Sequence, residues 1–226
     1  FNLNFGPVVD LSLNPSNYVI VQRNRSFGAD PRAVATLAAA FIRAHREAGV
    51  ATVAKHFPGH GSSSADSHKM FTDISESWQE IEIEPYRTLA KDGLLDAVML
   101  GHLYHPRFSD GAKLPASLSG RAVSALRDKG SIGFKGVVVS DDMEMGAVRD
   151  DYALEERVVK AVNAGTDLLV FSNVTLRDPE LGVKLHAIIA DAVRNGRISR
   201  SRIEKAYGKI SLLKRRIATH DLPGKW

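Results

Sequence analysis

The chain has 226 residues, enough to bury one full hydrophobic core, and its 44% hydrophobic and 25% charged residues are ordinary for a globular domain. Its net charge of +4 is modest and its 30 basic residues are spread out, so we predict no nucleic-acid partner. No apolar run reaches membrane-spanning length, which predicts no membrane insertion, and the lack of cysteine excludes disulfides and thiolate chemistry.

Strand-like apolar runs alternate with helical patterns along the chain. Asp30 and Pro31 are typical of a helix start and Gly49 of its end, while Ser77 followed by Glu80 predicts a capping box for the next helix. The predicted strands cover residues 5–9, 51–55, 96–100, 136–140 and 167–171. The predicted helices cover residues 30–49, a segment from 77, then 119–129, 143–148, 153–163, 178–196 and 201–217.

This β-α alternation with near-continuous apolar strands predicts a parallel sheet with helices on both faces, or a barrel. Functional-looking side chains follow at least four strands, namely Asp10, Lys55 with His56, His102 and Asp141. A barrel gathers residues from many strand ends, and the fingerprint of a dinucleotide-binding sheet is missing after the first strand. We therefore predict an α/β fold of the (β/α)8 TIM-barrel type, of which five strands are visible.

The run Lys55–Gly61, with Asp66-Ser67-His68 shortly after it, is the most informative stretch of the sequence. An extended Asp-x-His segment places both side chains on one side, where the carboxylate can orient the imidazole for proton transfer near neutral pH. The alternative is a chance pair in a surface loop. The Gly- and Ser-rich residues 59–64 favour a movable loop that carries a functional pair.

Asp141 follows the strand predicted at 136–140, where a barrel delivers side chains to its active face. A carboxylate there can act as a nucleophile, a base or a metal ligand. The alternative is a helix N-cap, since Asp141 or Asp142 precedes a short predicted helix. One of the two aspartates can cap the helix while the other reacts.

A metal site is a further alternative by residue type, formed by His56, His60, Asp66 and His68. The spacing matches no familiar ligand motif, and kinks at Pro58-Gly59 and Gly61 separate the residues. His102 and His105, which flank Tyr104 after the third predicted strand, are interpreted as wall or surface residues rather than ligands. We therefore predict no metal and no other cofactor.

Several segments together resemble glycoside hydrolase family 3, and within it the β-N-acetylglucosaminidase (β-N-acetylhexosaminidase) branch. The run Lys-His-Phe-Pro-Gly-His-Gly with a downstream Asp-x-His is specific to this branch, whereas Ser-Asp after Gly-Val-Val-Val is specific to the wider family. The resemblance runs through most of the chain. The segments that carry it are Asn4–Asp10, Asn24–Pro31, Lys55–Gly61, Asp66–His68, Pro115–Ser119 and Gly133–Met143.

The resemblance implies a role for each of six residues. Asp141 would be the nucleophile that forms a covalent glycosyl-enzyme, and His68 the acid/base, partnered by Asp66. A histidine with an ordinary pKa of ~6.5 can donate and then accept a proton near neutral pH. The residues that would bind the sugar are Lys55, His56 and Arg25.

One departure from the family is large. Its members begin with a further segment that carries the first two barrel strands and an acidic sugar-binding residue, whereas this chain resembles them from the third strand onward. We therefore expect residues 1–226 to form a single but partial catalytic barrel that lacks its first two βα units. A missing N-terminal segment or a partner chain would then complete the barrel.

The function implied by the resemblance is that of a retaining exo-β-N-acetylhexosaminidase, which hydrolyses terminal β-GlcNAc from glycans. The expected substrates are peptidoglycan fragments, in cell-wall recycling, and the expected location is the cytoplasm. The alternatives are a β-glucosidase-like or phosphorolytic member of the same family, a metal-dependent hydrolase, and a non-catalytic, truncated sugar-binding fragment.

Overall fold

The computed structural model describes residues 1–67, 69–111, 113–174 and 177–218. Its strands are β1 (Leu3–Asn4), β2 (Ala51–Phe57), β3 (Thr72–Asp73), β4 (Ala97–Leu100), β5 (Leu103–Tyr104), β6 (Val137–Asp142) and β7 (Leu168–Val170). Its α-helices are α1 (Pro31–Glu47), α2 (Glu84–Lys91), α3 (Gly120–Arg127), α4 (Gly146–Arg149), α5 (Leu154–Ala164), α6 (Leu181–Arg194) and α7 (Arg200–Ala218). Among these described helices, none has both the length and the apolar character needed to cross a membrane.

The main sheet is parallel and has the strand order β1-β2-β4-β6-β7. Its strands therefore follow one another across the sheet in the same order as along the chain. The sheet is curled, and helices alternate with its strands. A separate parallel pair, β3 and β5, was not predicted. The predicted α/β fold with a parallel sheet is confirmed at this level.

Both faces of the sheet are buried. On one face, Val98 belongs to a hydrophobic cluster with Ile42 of α1 and Leu89 of α2. On the other face, Met99 belongs to a cluster with Leu213 of α7. Burial on both faces explains why the strands read as near-continuous apolar runs. It also leaves the ends of the strands as the places where polar side chains can reach solvent.

The strand predicted at residues 5–9 is not formed as predicted, because the strand in this region, β1, lies before it at Leu3–Asn4. Residues 5–9 contain an isolated bridge from Val8 to Lys55, and Pro7 has no N–H to donate to a ladder. The chain nevertheless continues beside β2, where the N–H of Val9 donates to the carbonyl of Lys55 at 2.9 Å. The segment therefore delivers Asp10 to the same end of the sheet as Lys55.

The remaining four predicted strands of the main sheet are confirmed as β2, β4, β6 and β7, with boundaries shifted by a few residues. The helix predicted from Asp30 is confirmed as α1, and an Oδ1 of Asp30 accepts the N–H of Arg32 at 2.9 Å. The predicted N-cap with Pro in the first turn therefore has the expected geometry.

The capping box predicted at Ser77 is wrong. The N–H groups of Ser77 and Trp78 both donate to the carbonyl of Ile74, at 3.2 and 2.9 Å, so these residues form a turn. The helical turn that leads into α2 begins after Gln79, whose N–H donates to an Oε1 of Glu82 at 3.3 Å. The tertiary position of Glu82, described below, fixes this later start.

Two buried aspartates stand at the opposite, amino-terminal end of the strands. Asp96, before β4, accepts two hydrogen bonds from Arg46, the shorter at 2.7 Å. Asp167, before β7, is paired with Arg202 at 2.7 Å and with Lys209 of α7 at 3.2 Å. These ion pairs attach helices to the starts of strands and involve none of the predicted site residues.

Candidate active site

The carboxyl ends of the parallel strands bring the predicted site residues to one end of the sheet. Lys55 and His56 lie near the end of β2, and Asp141 lies near the end of β6. His102 follows β4, and Asp10 follows the segment that runs beside β2. This is the end at which barrel enzymes carry their chemistry. Side chains that the sequence places after four separate strands therefore converge in the structure.

Asp10 is a buried carboxylate that organises the Lys55–Gly61 run. One oxygen accepts the backbone N–H groups of His56 and His60, at 3.1 and 2.9 Å, and the other lies 2.7 Å from Nδ1 of His56. Burial alone would raise the pKa of Asp10, but the neighbouring His56 and His60 hold it below its usual value. The ionised carboxylate accepts a hydrogen bond from Nδ1–H of His56 and thereby fixes the orientation of the imidazole.

The other ring nitrogen of His56 is directed toward Arg25. With the Nδ1 proton held by Asp10, Nε2 is left as the acceptor, and Nη2 of Arg25 lies 3.5 Å from it. Nη1 of Arg25 donates to the carbonyl of Val19 at 3.1 Å, which holds the guanidinium in place. The structure thus brings Arg25 and His56 together, although 30 residues of sequence lie between them.

Lys55 is half-buried beside the carboxylate of Asp141. Burial lowers the pKa of the Lys55 amine below its usual value, and the nearby Asp141 partly opposes this shift by stabilising the ammonium form. Burial would raise the pKa of Asp141, but His56, His102 and Lys55 around it hold the pKa below its usual range. With its pKa held low, the carboxylate of Asp141 is ionised at the end of its strand.

The two consecutive aspartates have different contacts, which separates their roles. An oxygen of Asp142 accepts the N–H groups of Glu144 and Ser172, each at 3.1 Å, so Asp142 stabilises the turn after β6 and the segment after β7. One oxygen of Asp141 accepts the N–H of Asp142 at 2.9 Å. Within the described part of the chain, the second oxygen of Asp141 has no hydrogen-bond donor. Within the same described residues, Asp142 also has one oxygen without a donor, so the two aspartates differ in their surroundings. Asp141 lies beside His56, His102 and Lys55, whereas Asp142 holds the turn.

His102 forms a buried wall of the site. Its Nε2–H donates to the carbonyl of Asp142 at 2.8 Å, and its Nδ1 lies 2.7 Å from the hydroxyl of Ser117. Burial holds the pKa of His102 below its usual value, so the ring is neutral at physiological pH. His105 instead accepts the N–H of Arg107 at 3.1 Å and stacks near Trp78, away from these contacts.

Two histidines of the cluster considered as a metal site, His56 and His60, have hydrogen-bond partners in the protein. Nδ1 of His60 lies 2.6 Å from the hydroxyl of Ser63, and Nε2 lies 3.0 Å from that of Ser67. Nδ1 of His56 is held by Asp10, as described above. Within residues 1–67, 69–111, 113–174 and 177–218, no group of three or more His, Asp or Glu side chains is arranged to hold a metal ion.

Asp66 lines the mouth of a cleft of about 640 Å³. The other residues that line this cleft are Tyr18, Val19, Arg23, Arg25 and Lys69. Arg25 lines this cleft and also lies 3.5 Å from His56. His68, the predicted acid/base, lies outside the described residues, and its pairing with Asp66 stays a prediction.

Two buried carboxylates of the site were not assigned a role from the sequence. The sequence singled out Asp10 as a strand-end residue but gave no signal for what it contacts. Glu82 gave no sequence signal, since it lies in an ordinary helix start. Its oxygens accept hydrogen bonds from the hydroxyl of Ser62 at 2.6 Å and from the N–H of Gly61 at 3.1 Å. Glu82 therefore holds the Gly- and Ser-rich loop in place.

The glycines of this loop are required by close packing. A Cβ on Gly61 would lie 1.6 Å from the carbonyl oxygen of Leu11. At Gly59, φ is +126° and a Cβ would lie 2.6 Å from Cβ of Glu82. No side chain fits at either position without a backbone shift. The Pro-Gly-His-Gly sequence therefore packs the loop tightly against neighbouring chain, so its glycines do not by themselves indicate mobility.

The raised pKa of buried Glu82 predicts that the stability of the folded protein depends on pH. Burial raises its pKa from 4.5 to about 7, so the folded protein retains a proton that the unfolded chain releases between these values. The stability from this group is present below the unfolded pKa and is lost as pH rises through about 7. We expect Glu82→Gln to remove about 1–3 kcal/mol of this pH dependence. Thermal unfolding from about pH 5 to about pH 8 measures it.

The matched control for that measurement is Glu76→Gln, at an exposed glutamate of the same segment. It should leave the pH profile of the wild type unchanged. If Glu82→Gln and wild-type midpoints ran parallel across the whole range, the raised pKa of Glu82 would be contradicted.

Comparisons with known proteins show the family to which the chain belongs. A family model for the glycosyl hydrolase family 3 N-terminal domain matches residues 1–213. Beta-hexosaminidase LpqI from Mycobacterium tuberculosis is 36% identical over 219 residues, which cover 94% of this chain and 54% of that protein. A family 3 β-N-acetylglucosaminidase from Paenibacillus sp. FPU-7 superposes with a TM-score of 0.86 at 38% identity, covering 100% of this chain and 41% of that one.

A zinc-bound structure of CbsA from Thermotoga neapolitana has a TM-score of 0.82 at 31% identity and covers 100% of this chain and 46% of its own. The chain thus spans about half the length of the relatives it matches. The family model nevertheless covers nearly all of it, and the matched stretch contains every residue of the site described above. The chain belongs to glycosyl hydrolase family 3.

Proposed function

We propose that this chain carries the active site of a retaining β-N-acetylhexosaminidase that releases terminal β-GlcNAc from glycans. The observation that carries the proposal is Asp141, an ionised carboxylate at a strand end with an unpaired oxygen, beside Lys55 and His56. The names of the relatives, a beta-hexosaminidase and a β-N-acetylglucosaminidase, support the choice of sugar.

In the proposed reaction, the free oxygen of Asp141 attacks the anomeric carbon as the bond from that carbon to the leaving oxygen breaks. His68 gives its proton to the leaving oxygen, and the glycosyl group remains bonded to Asp141. Water then attacks the same carbon, gives a proton to His68 and releases Asp141. Two displacements return the original configuration, so the product retains the β-anomer.

The surrounding charges suit each step. Asp141 must be ionised to attack, and the neighbouring Lys55, His56 and His102 keep its pKa low. The donors that would hold the sugar hydroxyls are the Lys55 ammonium and the Arg25 guanidinium, with His56 between them. Asp66, at the cleft that Arg25 also lines, would orient and charge-stabilise His68.

We further propose that the curled sheet is part of a (β/α)8 barrel. The parallel strand order and the convergence of site residues at the carboxyl ends of the strands support this architecture. Peptidoglycan fragments, in cell-wall recycling, remain the proposed substrate class, supported by the resemblance of the motif to the β-N-acetylglucosaminidase branch.

The function is tested with p-nitrophenyl β-GlcNAc, before and after exhaustive chelation, with p-nitrophenyl β-glucoside for comparison. We expect hydrolysis of the GlcNAc substrate that survives chelation, because proton transfer and covalent catalysis by Asp141 and His68 are sufficient. The chelation test is informative because the similar structure of CbsA contains bound zinc.

Two outcomes would overturn the proposal. Activity that is lost on chelation and restored by zinc would favour a metal-dependent hydrolase. A clear preference for the glucoside would assign the chain to a β-glucosidase-like activity. The untreated enzyme and the same preparation reloaded with zinc serve as controls.

A further inference from the structure

His60 lies at the centre of a buried polar cluster that the proposed reaction does not use. Its side chain is buried, with 1% of the residue exposed, and its backbone N–H donates to Asp10 at 2.9 Å. Its ring lies edge-on to that of His56, with 5.9 Å between the centroids. His60 therefore touches the residues that position the sugar-binding side of the site.

The hydrogen bonds around the ring can be assigned a direction. The hydroxyl of Ser63 donates to the carbonyl of His60 at 3.0 Å, so its oxygen is free to accept from Nδ1–H of the ring at 2.6 Å. Nε2 is then the acceptor, and the hydroxyl of Ser67 donates to it at 3.0 Å. Burial lowers the pKa of His60 to about 4, which is consistent with a neutral ring that has one donor and one acceptor.

Among the described residues of 64–70, Ser67 is the buried one. Only 1% of Ser67 is exposed, whereas Ser64 and Lys69 are exposed and Asp66 is half-exposed. The carbonyl of Ser67 accepts the N–H of Ala147 at 3.4 Å, in the helix α4 that follows β6. Ser67 is thus held between the ring of His60 and the part of the chain that follows Asp141.

We propose that the contact between His60 and Ser67 is a positioning device that sets the place of the Asp66–His68 pair relative to Asp141. His60 and Ser67 do not act on the substrate. They hold the backbone at Ser67, and the two proton-transfer residues, Asp66 and His68, are its neighbours in sequence. This inference deepens the proposed function and rests on it for its kinetic consequences. The contact itself can be tested without any substrate.

The kinetic test is Ser67→Ala, assayed on aryl β-GlcNAc substrates whose phenols differ in pKa. We expect kcat/KM for poor leaving groups to fall about tenfold more than for good ones, because only poor leaving groups depend on a well-placed acid. KM should change little. Ser64→Ala, at an exposed serine of the same loop, is the matched control and should behave as wild type.

Ser67→Thr separates positioning from packing. It retains the hydroxyl but adds a methyl group at a buried site, so we expect its thermal midpoint to be lower than that of Ser67→Ala. Its leaving-group dependence should nevertheless stay closer to wild type. Equal losses on all substrates for Ser67→Ala, or a Thr variant that fails in the same way as the Ala variant, would overturn the positioning role.

Limited trypsin digestion provides a readout that does not need activity. We expect cleavage after the exposed Lys69 to be several-fold faster in Ser67→Ala than in wild type or Ser64→Ala. Unchanged cleavage would overturn the inference, whatever the kinetics show. Faster cleavage in a protein whose wild type hydrolyses no GlcNAc substrate would overturn the proposed function and support the contact.

Discussion

Asp141→Asn should lower kcat on an aryl β-GlcNAc substrate by about 10³-fold or more, since an amide cannot form the glycosyl-enzyme. The fold should persist, because Asn retains the oxygen that accepts the N–H of Asp142. Initial rates over a range of substrate concentrations give kcat and KM, and thermal unfolding of the same preparation shows whether the loss is chemical.

The matched control is Asp142→Asn. Asn at this position keeps an oxygen for the N–H groups of Glu144 and Ser172, so we expect the turn to survive with only modest loss of activity. If Asp141→Asn instead kept a near-normal kcat while Asp142→Asn lost turnover, the nucleophile would be Asp142.

His68→Ala should produce the second large effect, and the effect should depend on the leaving group. For poor leaving groups we expect kcat/KM to fall by about 10²–10⁴-fold, since the departing oxygen needs a proton. For phenols of low pKa the loss should be much smaller, because such phenols leave without full protonation. The measurement is the slope of log kcat/KM against phenol pKa, in wild type and variant.

Asp66→Asn gives an intermediate case for the same series. The imidazole of His68 remains, but its charge partner is lost. We therefore expect the slope of log kcat/KM against phenol pKa to change in the same direction as in His68→Ala, but by less. Equal losses of His68→Ala on every substrate would contradict the acid/base role and assign His68 to binding or pocket shape. The proton donor would then have to be another group near the cleft.

The sequence predicted those features of the site that depend on strand ends. Lys55, His56 and Asp141 follow buried apolar runs, and parallel strands place all such positions at one end of a sheet. Their convergence therefore needed no knowledge of side-chain packing. Arg25 was different: it was assigned through resemblance alone, and the structure supplies the physical reason in its 3.5 Å approach to His56.

The sequence could not predict contacts that form only when distant segments pack. Glu82 reads as a helix-start residue, yet it is fully buried and anchors Gly61 and Ser62. The helix start predicted at Ser77 was wrong for the same reason, because a tertiary contact overrides local capping preference. His60 was considered as a metal ligand, and its actual partners became visible only with the loop in place.

The paired charges at the amino-terminal strand ends bear on how variants of this chain would lose function. The side chains of Asp96 and Asp167 are as buried as that of Asp10, but their partners are arginines and a lysine that attach helices to strands. Breaking such a pair leaves an uncompensated buried charge, which reduces the fraction of folded molecules. Variants there would lower the cellular abundance of the protein through quality control, whereas each surviving molecule would turn over at its normal rate.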